Sequence, residues 1–252
     1  MNPILWKKPP AKLSISRSEL HVWRVHLDHV KDQHKYLISL LSPEEIKRSE
    51  RFIFERDSYR YQVTHSMKRL ILGNYLDCDA QYLRFEVGNY GKPSLASLQN
   101  ALNIQFNLSH SHNLILIAVT RADSIGIDIE YYKKKLSIES LAEIIFSPLE
   151  RKFFSELKSQ QERKKVFFRC WTRKEAYLKA IGTGLTQDIS KISVDLSEFS
   201  VQNWLQVPTL SKTENTQWKL FTLDMRNAYM IAIVATAFQC YLTGFDLNIL
   251  HE

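Results

Sequence analysis

Cysteine is scarce: three in 252 residues, Cys78, Cys170 and Cys240, scattered and without a C-x-x-C pair. That excludes a disulfide framework and a thiolate zinc site, leaving buried or incidental thiols. Long apolar runs are also missing. The longest, Met230 to Phe238, is too short to span a bilayer, so no membrane is expected as a partner. The opening MNPILWKKPPAKLSISRSELHVW has charges and prolines but no apolar secretory core, which points to a cytoplasmic protein. No solenoid-length repeat, low-complexity segment or G-x-S-x-G elbow is visible.

What is present is an ordinary globular balance, 44% hydrophobic and 24% charged, enough for one large domain or two small ones. The formal charge of +7 implies an anionic partner. Nucleic acid, a nucleotide and an acidic protein satisfy it equally. A nucleic-acid module or concentrated basic stripe is absent, so nucleic acid is not expected.

Along the chain, Pro43 to Leu76 reads as helix, with Tyr59, Val63, Met67, Leu70 and Ile71 at three- and four-residue spacing. Gly88, Gly91 and Pro93 then punctuate. Strands are expected at 104–108, 114–120 and 124–130, with SHSHN as the first turn and RADS, before the third strand, as a boundary between halves. Leu136–Leu157 reads as helix broken at Ser147-Pro148, and Lys158–Lys165 as a solvated charged stretch. Val166–Ile181 is the clearest helix, stopped by Gly182 and Gly184. Strands follow at 218–223 and 229–236, after a polar loop at 211–217. Without regular βαβ alternation, the class is α+β.

In SIGIDIE, Ile125, Ile127 and Ile129 share one strand face while Asp128 and Glu130 share the other. Two such carboxylates repel each other, and a hard cation such as Mg²⁺ would relieve them. A solvated face with Lys133 to Lys135 as counter-ions explains them as well. In WTRKEAYLKAIGTG, Trp171, Lys174, Glu175 and Lys179 fall on adjoining helix faces. They form either a surface ion pair or a metal-and-phosphate site. In NLSHSHN, Ser109 and His110 point to opposite faces, which suits phosphate binding better than a nucleophile–base pair, and a plain polar turn explains them equally. YGKPS sets Lys92 at a rigid turn, between Gly91 and Pro93.

The order of these motifs, Gly91-Lys92-Pro93, Asn107 to Ser111, Ile125 to Glu130 and Trp171 to Lys179, resembles the 4'-phosphopantetheinyl transferase superfamily, in its long Sfp-type branch. RFIFERDSYR at 51–60 and IIFSPLE at 144–150 are also similar. The resemblance implies a pseudo-dimer of two similar α+β halves, 1–122 and 123–252, with coenzyme A in the cleft between them. It implies Mg²⁺ on Asp128, Glu130 and Glu175. Lys174 and Lys179 would contact the cofactor phosphates, and Ser109 and His110 the nucleotide phosphates. Lys92 and Pro93 would lie beside the adenosine, and Arg60, assisted by Arg48, would grip the 3'-phosphate. Glu45 departs from a basic residue of some relatives.

The implied reaction moves phosphopantetheine from coenzyme A to a serine of an acidic carrier protein and releases 3',5'-ADP. Catalysis there is positioning and charge neutralisation, with Lys179 and Lys174 on the transferring and leaving groups. Glu175 is the candidate base, directly or through a metal-bound water, with Asp128 beside it. The enzyme is expected to act as a monomer. The charge of +7 would steer the carrier, with part of Leu136–Leu157 as a docking face. A Mg²⁺-dependent phosphoesterase and a basic nucleic-acid-binding protein are the competing readings.

Overall fold

The description rests on a computed structural model and covers residues 4–132, 136–197, 205–206, 218–225, 228–236 and 241–247. Lys133 to Lys135, the 211–217 loop and Cys240 lie outside the described residues.

The chain begins with β1 (Trp6–Lys7), β2 (Glu19–His26) and the helices α1 (His34–Ser39), α2 (Pro43–Ser49) and α3 (Glu55–Leu76). The hairpin β3 (Phe85–Val87) and β4 (Pro93–Leu95) precedes β5 (Gln105–Ser111) and β6 (Leu114–Thr120). Then come β7 (Ile125–Tyr131), α4 (Ile138–Ile145), α5 (Pro148–Glu156) and α6 (Gln160–Ile181). Two-residue strands β8 (Ser193–Val194) and β9 (Leu205–Gln206), the hairpin β10 (Trp218–Met225) and β11 (Tyr229–Thr236), and β12 (Tyr241–Asp246) complete it.

These elements form two compact units. The N-terminal unit takes Leu5–Val87, Pro93–Arg121 and the segment from Tyr241. The C-terminal unit takes Ile4, Gly88–Lys92 and Ala122–Cys240. The division differs from 1–122 and 123–252 in several segments, of which two bear on the site and the sheet. β12 pairs parallel with β2 in the N-terminal sheet, and the Gly88–Lys92 turn groups with the C-terminal unit.

Each unit repeats one plan. In the N-terminal unit an opening strand, β2, pairs antiparallel with β6 of the closing hairpin, giving the order β2-β6-β5. In the C-terminal unit β7 pairs with β11 in the order β7-β11-β10. Each then carries a 22-residue helix, α3 or α6. Each also starts a short helix with S-P-x-E. Ser42 caps α2 and Ser147 caps α5, in both cases through a capping box closed by the third helical residue, Glu45 or Glu150. The same glutamate then meets a buried cation of the long helix. Arg69 Nε reaches Glu45 Oε2 at 2.6 Å, and Lys174 Nζ reaches Glu150 Oε2 at 2.6 Å. The α+β class and the likeness of the two halves are thus visible in the topology itself.

Local differences from the sequence reading have local causes. The 43–76 segment is two helices, because the chain leaves α2 at Glu50 and re-enters helix only at Glu55. The SHSHN turn is shorter, since β5 runs through Ser111 and His112, at φ 53°, makes the reversal. The charged stretch before Val166 is already helical from Gln160, capped by Ser159, whose hydroxyl accepts from Glu162 N–H.

Candidate functional site

The site is built by the approach of α6 to β7. In β7 every second residue, Gly126, Asp128 and Glu130, shares one face. Their cross-strand partners on β11 are Val234, Ala232 and Met230, which pack in one apolar cluster with Ala176 and Ala180 of α6. Ile125, Ile127 and Ile129 take the other face and are fully buried. A Cβ on Gly126 would overlap the Ala176 carbonyl oxygen and the Ala180 amide nitrogen, so only glycine admits the helix this closely.

With Ala176 and Ala180 against the strand, Trp171, Glu175 and Lys179 line the neighbouring side of α6, each half-buried. Lys179 Nζ donates to Asp128 Oδ1 at 2.6 Å and to the Ile127 carbonyl at 3.2 Å. Trp171 Nε1 donates to Glu130 Oε1 at 3.3 Å. Glu175 Oε1 is buried without a hydrogen-bond partner. Burial, then the charges of Asp128 and Glu130, push the Glu175 carboxyl up to about 7, against the pull of Lys179. A buried carboxylate lacking donors beside two others is costly, and a cation is what would relieve it.

Among the described residues, no three Asp, Glu, His or Cys side chains stand together closely enough to hold a metal ion as they are placed. Lys179 holds Asp128, and Trp171 holds Glu130, in the positions just given. Carboxylate oxygens are the donors Mg²⁺ prefers, and it takes one or two of them from a protein, completing its shell with phosphates and water.

Two lysines of the sequence reading go elsewhere. Lys174 is adjacent to Glu175 in sequence but about 100° around the helix. It is fully buried, ion-paired to Glu150 and bonded to the carbonyls of Ile145 at 2.7 Å and Ile189 at 3.2 Å. It does for the C-terminal unit what Arg69 does for the N-terminal one, and it does not face phosphate. Lys174→Met should therefore cost about 3–5 kcal/mol of stability by stranding Glu150. Urea unfolding checks this; an unchanged midpoint would return Lys174 to the site. Lys92, expected beside a nucleotide, donates to the carbonyls of Ile125 and Ala180, each at 2.9 Å.

The other residues lie in the N-terminal unit. Arg48 lines a cavity of about 590 Å³ with Glu44, Lys47, Arg51 and Phe52, within the roughly 300–1,000 Å³ usual for small-molecule sites. Arg60 Nη1 donates to Asp57 at 3.0 Å, and its Nε is buried without a partner. Ser109 is buried on β5 and His110 exposed, and Pro93 opens β4 opposite Val87. Glu45 is not exchanged for a cation without consequence, because it binds Lys68 and His65 as well as Arg69.

Sequence reasoning missed Gly126 as the spacer and Trp171 as the donor to Glu130. The signals were there: glycine in an otherwise β-branched strand, and tryptophan four residues before Glu175. On α4 and α5, Ile144, Leu149 and Phe153 stay exposed, at 69%, 65% and 40%, which is unusual for three apolar side chains within ten residues. No described helix is long and apolar enough to cross a membrane.

Comparison with known proteins bears on this geometry. Residues 124–234 match the model of the 4'-phosphopantetheinyl transferase superfamily, and residues 27–122 that of the 4'-phosphopantetheinyl transferase N-terminal region. The 4'-phosphopantetheinyl transferase HetI of a Nostoc species is 38% identical over 192 residues, covering 76% of this chain and 80% of that protein. The 4'-phosphopantetheinyl transferase Sfp of Bacillus subtilis is 29% identical over 183 residues, covering 71% and 78%. Among solved structures, a holo-(acyl-carrier-protein) synthase from Bacillus anthracis is 24% identical and covers 44% of this chain and 92% of its own, with a TM-score of 0.36.

Proposed function

Because the chain belongs to the 4'-phosphopantetheinyl transferase superfamily, we propose that it transfers phosphopantetheine from coenzyme A to a serine of an apo carrier protein, releasing 3',5'-ADP. The observation that carries the reading is the pairing of Lys179 with Asp128 beside Glu175, whose buried oxygen lacks a donor and whose carboxyl feels the charges of Asp128 and Glu130.

The carrier hydroxyl attacks the phosphorus bearing pantetheine, and the nucleotide phosphate departs. Glu175, half-buried beside Asp128, is assigned the serine proton as the hydroxyl attacks. Lys179, already an ion-pair donor, stabilises the charge on the phosphoryl oxygens, and Trp171 fixes Glu130. Asp128, Glu130 and Glu175 would hold Mg²⁺, which when bound neutralises diphosphate charge and orients it. In the N-terminal unit the Lys47, Arg48 and Arg51 cavity is assigned to a phosphate-bearing group such as the 3'-phosphate of coenzyme A, with Arg60, Ser109 and His110 as further anion contacts.

The carrier is assigned to the exposed apolar residues of α4 and α5, beside Arg151 and Lys152, which suit an acidic partner. Ile144→Asp with Leu149→Asp should raise the KM for the carrier about tenfold or more, at constant KM for coenzyme A; an unmoved carrier KM removes this surface from the proposal. The whole reading is tested by incubating the protein with Mg²⁺, coenzyme A and an apo acyl carrier protein, followed by mass spectrometry of the carrier. Gain of one phosphopantetheine group supports it. Hydrolysis of coenzyme A without a carrier would turn it into a phosphoesterase.

A further inference from the structure

Lys92 reaches α6 and β7 from outside both, and its two bonds have an unusual address. Ile125 is the first residue of β7, the strand that presents Asp128 and Glu130. Ala180 lies in the last turn of α6, the helix that presents Glu175 and Lys179. One ammonium therefore joins the two elements that supply Asp128, Glu130, Glu175 and Lys179, at 2.9 Å to each carbonyl.

Both contacts are chemically apt. The carbonyl of Ala180 is among the last four of the helix, which have no intrahelical donor, and a cation there complements the negative helix end. The stem of Lys92 passes over Gly182, where a Cβ would come within 3.3 Å of the Lys92 Cδ; the positive φ of 74° at Gly182 ends the helix at that point. Burial presses the Lys92 ammonium down to about 8. The neighbouring contact is made by Lys179, which ties the same helix to the Ile127 carbonyl and Asp128. Gly126 sets how near the strand and helix can come, and the two lysines hold them there.

We propose that Lys92 is a positioning residue: it fixes the spacing of β7 and α6, and through it the separation of Asp128 and Glu130 from Glu175 and Lys179. The inference rests on the transferase reading for its kinetic consequence only. A residue that aligns the acids acts on turnover and on cation affinity, and leaves the grip on the nucleotide alone.

Lys92→Met keeps the stem and removes the donors. Two measurements are made on the full-length protein. One is steady-state transfer to the carrier. The other is Mn²⁺ binding by electron paramagnetic resonance without coenzyme A or carrier. Expected are a fall in kcat of roughly 10- to 100-fold at an unchanged KM for coenzyme A, and Mn²⁺ binding weaker by a similar factor. A raised KM with kcat preserved would make Lys92 a nucleotide contact and overturn the proposal. Loss of thermal stability alone, with kcat and Mn²⁺ affinity kept, would also overturn it. Should Lys92→Met not fold, Lys92→Arg retains the charge but displaces the donors, and the same split between kcat and KM is required of it. If the wild-type protein transfers nothing, the transferase reading fails by itself, and the Mn²⁺ comparison still decides the placement of Lys92.

Discussion

Glu175→Gln is expected to lower kcat/KM by about 10²- to 10⁴-fold and, at the same time, to raise the Tm of the metal-free protein at pH 8. Both effects come from one feature, a carboxyl buried beside Asp128 and Glu130 with an oxygen that no donor reaches. The folded-state value of about 7 lies above the ordinary 4.5, so the folded protein favours the protonated acid. The stability this group supplies is complete below pH 4.5 and is lost as the pH rises through 7. Glutamine imitates the protonated form at every pH. The gain in Tm should thus appear at pH 8 and vanish at pH 5, a pattern that a general packing change would not produce. Adding Mg²⁺ should stabilise the wild type more than the variant, because the cation binds the folded wild-type site more tightly. Differential scanning calorimetry at the two pH values, with and without Mg²⁺, reads all of this. A variant with native turnover, or a Tm gain equal at pH 5 and pH 8, would remove Glu175 from the centre of the site.

That trade of stability for reactivity could be read in part from the sequence. The alternation in SIGIDIE gave the carboxylate face of β7, and the strands 114–120 and 229–236 have the bounds expected of them. The Ser147-Pro148 break was legible because proline at the first helical position and serine before it are strong local signals. Lys174 and Lys92 have partners that the sequence could not show, for a shared reason. A lysine in a motif is the same symbol whether it faces solvent, a phosphate or a buried carbonyl, and rotation about the helix or reach from a turn decides between these. Lys174 finds Glu150 from 24 positions away, and Lys92 finds Ala180 from 88, so neither partner lies within any local window. The likeness of the two units, implied by the resemblance alone, was not legible in the residues themselves for a similar reason. It resides in topology and in the pairing of S-P-x-E with a buried cation, whereas the residues themselves have diverged. Arg69 is followed by Leu70, and Lys174 by Glu175, so only the C-terminal unit keeps an acid at that step. β2 and β12 drew no attention in the sequence, and β12 in particular is set by a parallel pairing with a strand more than 200 residues earlier.

Gly126→Ala should be among the most damaging single-methyl changes available to this protein. The added Cβ would overlap backbone atoms, the Ala176 oxygen and the Ala180 nitrogen, and would stand 3.0 Å from the Ala180 Cα. Backbone of a packed helix cannot swing aside as a side chain can, so α6 must lift away from β7. Overpacking of this sort costs about 1–3 kcal/mol, and more where no rotamer can absorb it. The functional loss should be larger than the stability loss implies. A displacement near 1 Å would carry Glu175 and Lys179 away from Asp128, and misplacement on that scale costs on the order of 10²-fold in rate. Ala176→Gly supplies a discriminating control. Because the overlap is with the Ala176 carbonyl and not its methyl, the double variant should remain as impaired as Gly126→Ala alone. Recovery of turnover in the double variant would mean that side-chain crowding, and not the backbone approach of helix to strand, sets the geometry of the acids. Native turnover in folded Gly126→Ala would go further, since it would show that the separation of β7 from α6 is not what aligns Asp128 with Glu175.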